Sequence, residues 1–153
     1  KIGNMTLVLN FNGDKRVLAR LDEAIKAAGN PKEALEEIGG TLVKEYTDNF
    51  PAEGKRLASP WAALAASTLR EKARLGYGGK PILVRTGNLM NSFRKSVSKF
   101  AVTVSNAVKY GIYHQTGTPK MPRRPIMLIP ERLKQEIIAS FTKFIHKALT
   151  KSI

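Results

Sequence analysis

Residues 130–149 read PERLKQEIIASFTKFIHKAL, and the spacing of their apolar side chains decides the fold class. Leu133, Ile137, Phe141, Ile145, Ala148 and Leu149 recur at helical intervals and form one stripe, with Ile138 and Phe144 at its margin. Lysines crowd the C-terminal end, where they meet the negative pole of the helix, and His146 among them reads as solvated surface. Two other stretches alternate with the period of a strand. FAVTVSN, residues 100–106, puts Phe100, Val102 and Val104 on one side, and MTLVLNFNGD, residues 5–14, does the same with Leu7, Leu9 and Phe11. Together these predict an α+β protein, a small antiparallel sheet packed against several helices, with a long C-terminal amphipathic helix.

The intervening elements fit that frame. Asp14 can cap a helix carrying Val17, Leu18, Leu21 and Ile25, which Gly29 would end. A second helix starts at Asn30-Pro31, with Glu33 placed to reach the free amides, and runs through Leu35, Ile38, Leu42, Val43 and Tyr46 until Pro51. Gly39 and Gly40 inside it each cost about 1 kcal/mol relative to alanine, so they mark a close packing contact or a bend. Residues 51–60 read as a loop before Trp61, and Ser67 or Thr68 is expected to cap a short helix through Leu75. Thr86 is placed to cap a turn carrying Leu89 and Phe93, in competition with a strand beginning near Ser92. No repeat, low-complexity tract or linker interrupts residues 1–153, which are expected to form a single domain.

Composition narrows the function classes. The chain has no cysteine, hence no thiolate nucleophile and no disulfide framework, and only two histidines, His114 and His146. No apolar run is long enough to span a membrane and no secretory signal pattern is present, so assembly in the cytoplasm is expected. The 26 Lys and Arg against 12 Asp and Glu give a formal charge of +14. Residues 1–50 hold seven basic and eight acidic side chains, whereas residues 51–153 hold nineteen and four. A surface so biased attracts polyanions by counterion release, which puts nucleic acid beside acidic proteins as a partner.

The segment YGIYHQTGTPKMPRRPIM, residues 110–127, is the densest in reactive-looking side chains. A serine or threonine nucleophile would need His114 as base and a carboxylate to orient it, yet Glu53, Glu71, Glu131 and Glu136 are the only acids after residue 50 and none sits in a motif. No aspartate follows Asp48, so clustered-carboxylate metal chemistry lacks ligands, and GYGGK lacks the spacing of a phosphate-binding loop. The segment reads instead as structure. Tyr110, Tyr113 and His114 share one side of a helical turn that Gly117 can end, Thr118 to Pro125 form a stiff basic arm, and PIMLIP follows as a short strand.

Several of these motifs recur in one order: Trp61 with Ala62-Ala63-Leu64 and Thr68, Ile82-Leu83, Thr86-Gly87-Asn88-Leu89 with Ser92, Val102 to Asn106, Tyr110 to Gly117, and Arg124-Pro125. In that order the chain resembles the phage virion morphogenesis family over residues 42–129. Thr116 departs from the pattern, which more commonly has an aromatic there. The resemblance implies a noncatalytic virion assembly protein of a phage or prophage, a Mu-like tail-completion or head-to-tail joining component, with no cofactor and no metal. It also implies a homo-oligomer in a ring of six-fold symmetry, located in the tail or neck beside other tail and neck proteins. Under it Trp61 becomes a core anchor, Thr86 a cap, Gly87 and Gly117 backbone pivots, and Tyr110, His114 and Gln115 a hydrogen-bonding cluster, with Leu89 and Pro125 as further markers. Lys120, Arg123 and Arg124 are candidate contacts to an acidic neighbour or to DNA. A basic nucleic-acid-binding module remains the alternative.

Overall fold

A computed structural model describes residues 5–9, 26, 29–98 and 101–150. The expected helix between Asp14 and Gly29 falls outside these residues apart from Lys26, which is helical, and so does Phe100. Strands β1 (Met5–Leu9), β2 (Phe93–Val97) and β3 (Val102–Asn106) form one antiparallel sheet in the order β1-β3-β2. Its register pairs Leu7 with Val104, Leu9 with Val102, and Phe93 with Asn106. Val102, Val104 and Asn106 are buried on alternate positions of β3, as the period of two requires. Strand β2 is an edge, and its Arg94, Lys95 and Ser96 are exposed.

Helix α1 (Lys32–Asp48) lies across β2 and β3. The Asn30 side chain accepts a hydrogen bond from the Lys32 amide at 3.0 Å, and Pro31 precedes the first helical residue, so the expected start is observed within a residue. Leu35, Ile38, Leu42 and Tyr46 supply the buried stripe. A Cβ at Gly39 would sit 2.8 Å from Val102 Cγ2, so the glycine is where the helix backbone rests directly on the sheet.

Short helices α2 (Ala66–Arg74) and α3 (Gly111–Thr116) and the long α4 (Glu131–Thr150) complete the fold. Leu133 and Ile137 of α4 join the core, and α4 packs on α1. Phe50 sits at the centre, edge-on to Trp61 at 5.2 Å and to Phe93 at 6.2 Å between ring centroids. Each such side chain removed from water stabilises the fold by about 1.5–3 kcal/mol. Among the described residues no helix is long and apolar enough to cross a membrane.

Three local expectations change. Helix α2 begins at Ala66, and Ala65 at its N-terminus offers no side-chain cap, so neither Ser67 nor Thr68 plays that part. Near Thr86 the strand reading holds and the turn is displaced: the Thr86 hydroxyl accepts from the Asn88 amide at 3.4 Å, but the 3-10 turn spans Met90–Ser92 after Leu89 with no side-chain cap, and Phe93 opens β2. Residues 126–129 form no strand. The amides of Ile126 and Met127 donate to a side chain, Gln115 Oε1, at 2.9 and 3.0 Å.

Candidate interaction site

Most of the motif residues singled out in the sequence converge on one knot beside the core. Trp61, 7% exposed, donates its indole N–H to the Pro125 carbonyl at 2.8 Å. Arg124 is 4% exposed; its Nε and Nη2 donate to the carbonyls of Ala62 and Ala63 at 2.8 and 3.0 Å, and its amide donates to the His114 carbonyl at 2.8 Å. Burial lowers the Arg124 pKa from its usual value. Gln115 accepts from Ile126 and Met127 and donates its own amide to the Met127 carbonyl at 2.8 Å, closing three bonds with one side chain. Asn106 at the end of β3 donates to the Leu89 carbonyl at 2.9 Å and accepts from the Val108 amide at 3.0 Å. Leu89 and Ile126 press on Gly111, where a Cβ would meet Leu89 Cδ1 at 3.2 Å.

The stiff arm expected over Thr118 to Pro125 folds back instead of projecting. Thr118 and Met121 exchange backbone hydrogen bonds at 2.9 and 3.0 Å, forming a tight turn, and Arg123 Nε donates to the Gln115 carbonyl at 3.0 Å. Gly117 makes the reversal possible: its φ is 77°, and a Cβ would lie 3.0 Å from the Arg123 amide nitrogen. Gly87 also holds a positive φ, 85°. Of the three residues expected to share hydrogen bonds, Gln115 carries them. Tyr110 and His114 meet edge-to-face at 6.1 Å, and His114 Nδ1 is buried without a hydrogen-bond partner. Burial, then the charge of Arg124, lowers the His114 pKa from 6.5 and favours the neutral ring.

This knot forms one wall of a cleft of about 910 Å³. Helix α2 and the 77–86 loop form the other, and the 118–122 turn lies at the rim. Leu64, Leu75, Leu83, Val84 and Leu89 give it an apolar lining, while Lys72, Arg85, Lys120 and Arg124 bring four cations against the single carboxylate of Glu71. Arg85 and Lys80 stack on the Tyr77 ring at 5.3 and 5.1 Å. Lys72 donates to the carbonyls of Lys80 and Pro81 at 2.9 and 3.0 Å, and burial lowers its pKa. No hydrogen bond among the described residues joins His114 to a carboxylate or a hydroxyl. Among the same residues no group of three or more His, Asp or Glu could hold a metal ion.

Charge is treated differently around helix α1. Glu45, with 8% of its side chain exposed, binds both Arg56 and Arg132, the latter at 2.6 Å, and Arg132 reaches on to Glu136. Lys95 of β2 pairs with Glu36 of α1 at 2.8 Å, and Lys44 with Asp48. Burial pushes the Glu45 carboxyl up, but the hydrogen bonds from Arg56 and Arg132 outweigh it and hold the pKa below 4.5. The role of Glu45 has no local signature in the sequence, because Arg56 and Arg132 arrive from other segments, and the bond from Asn106 to Leu89 is non-local in the same way.

Residues 13–145 match the phage virion morphogenesis family. The chain belongs to that family. No curated protein and no solved structure matches it. Membership gives this chain a part in phage assembly, in a family of structural proteins, with other phage proteins as its partners. The knot and the cleft both fall within the matched span.

Proposed function

We propose that this family member completes the phage tail at its head-proximal end or joins head to tail, and that copies act as a closed ring without catalysing a reaction. The observation that supports this best is the fate of residues 110–127. Gln115 and Arg124 are held by internal hydrogen bonds, His114 has neither a carboxylate nor a hydroxyl bonded to it among the described residues, and what the segment offers to solvent is shape and charge. A heterologous contact that closes into a ring needs two different faces on one subunit. The exposed 118–121 turn with Lys120, beside Arg123, is one candidate face, and Arg124 contributes from within by holding residues 61–63 to the turn. Tyr113 of α3 is 44% exposed.

The test is mass by light scattering across protein concentrations, with electron micrographs of the largest species, and complementation of a phage lacking this chain. Rings, and heads and tails that stay separate without the protein, are the expected results. A protein that remains monomeric at every concentration and with every phage extract would remove the ring. A second reading, DNA contact, draws on the +14 charge. Tight duplex binding whose affinity falls steeply with salt would favour it.

A further inference from the structure

Helix α2 is odd for a folded domain: none of its nine residues is buried, and Leu69 is 54% exposed. A helix of this length is marginal without tertiary packing. It nonetheless walls the cleft through Thr68, Glu71 and Lys72. Inside the cleft, Leu64, Leu75, Leu83 and Val84 are partly exposed beside four cations, none of them ion-paired with a carboxylate among the described residues.

Charge and shape together select the occupant. A second copy of this chain brings 26 basic and 12 acidic side chains, so pairing two copies adds to the positive excess, and a partner segment richer in acid meets the cleft better. Duplex DNA would meet the cations with its phosphates but has little apolar surface to lay against Leu64, Leu75, Leu83 and Val84. A polypeptide segment with carboxylates and two or three apolar side chains satisfies both sets of groups, and a cleft of about 910 Å³ accommodates several residues of it.

We propose that the cleft between α2, the 77–86 loop and the 118–122 turn receives an acidic peptide segment of a partner protein, anchored by apolar side chains in the cleft and by carboxylates on Arg85 and Lys120. This deepens the assembly reading by giving the partner's chemistry. It rests on that reading only for the partner being a virion protein, and binding at the cleft can be scored whether or not rings form.

The experiment presents the full chain to a yeast-displayed library of random 15-residue peptides and follows the selected clones with three variants. Thr68→Trp places an indole in the cleft from an exposed position, and the pair Arg85→Glu with Lys120→Glu reverses exposed rim charges. His146→Ala, exposed on α4, is the control. Circular dichroism and thermal melting establish that each variant is folded. Selected clones are expected to be enriched in Asp and Glu with at least two Leu, Ile, Phe or Met, to bind the control unchanged, and to lose at least fivefold in affinity on each cleft variant. Replacing the apolar residues of a selected peptide by serine should cost a similar factor at unchanged charge. The proposal is overturned if no clone is selected, if clones bind Thr68→Trp as well as the parent, or if the serine peptide binds equally. A 20-base-pair duplex that binds more tightly than every selected peptide, and is excluded by Thr68→Trp, would assign the cleft to nucleic acid instead.

Discussion

The face built from α1, β2 and α4 and the face built around the cleft handle the same kinds of side chain in opposite ways. On the first, arginines and lysines meet carboxylates from other elements: Arg56 and Arg132 converge on Glu45, and Lys95 crosses from β2 to Glu36. On the second, cations are held by backbone carbonyls or by an aromatic ring, as Arg124, Lys72 and Arg85 are. The first arrangement completes its electrostatics within the chain. The second satisfies hydrogen bonds but, among the described residues, leaves cations in excess over the carboxylate of Glu71, so a polyanion approaching it meets a net attractive field.

Mutations that break this contrast should differ in size. Phe50→Ala, at the junction of Trp61 and Phe93, removes the centre of the core shared by both faces and should lower stability by about 3–5 kcal/mol in urea unfolding. Gln115→Ala should cost roughly 2–3 kcal/mol, since two amides and a carbonyl at residues 126–127 lose their partner together. Hydrogen exchange at the Ile126 and Met127 amides should rise in that variant well before β3 is affected. Unchanged exchange at those two positions would mean that Gln115 does not hold the segment.

Titration should separate the two faces. His114 has a folded-state pKa below its unfolded value, so the unfolded chain takes up a proton first. Its contribution to stability is complete above the unfolded value near 6.5 and declines as pH falls below it towards the folded value. Glu45 also has a depressed folded-state pKa, but as an acid it stabilises above its unfolded value near 4.5 and loses that contribution as pH falls through the folded one. His114→Gln should therefore flatten the upper part of the stability profile and Glu45→Gln the acid part. Denaturant midpoints taken at intervals of pH would show it. The smallest effect is expected for Arg85→Glu with Lys120→Glu, whose stability should lie within about 1 kcal/mol of the parent, because both side chains are exposed, neither pairs with an acid among the described residues, and only the stack of Arg85 on Tyr77 is lost. A large loss there would erase the distinction between the faces.

How far the sequence discloses this molecule depends on whether a feature is periodic. Helices α1 and α4 and strand β3 are legible because Leu35, Ile38 and Leu42, or Val102 and Val104, repeat at the interval their backbone imposes. PIMLIP misleads for the same reason. An apolar run between prolines has the look of a strand, yet its amides are met by the side chain of Gln115 from another element, which no local pattern encodes. Arg123 and Arg124 are neighbours of the same type with opposite surroundings, one exposed and one buried, and only the path of residues 61–63 distinguishes them. The cleft shares this difficulty, because its walls come from α2, the 77–86 loop, α3 and the 118–122 turn.

Strand β2 gives the fold a further property. As the last member of its sheet it leaves backbone groups open, and an open edge is a template on which another copy could add a strand of its own. Arg94 is exposed there with no carboxylate paired to it among the described residues, and a like-charged strand drawing alongside would bring more positive charge against it. Stacking of copies edge to edge is thereby discouraged, and association is left to surfaces that can discriminate among neighbours.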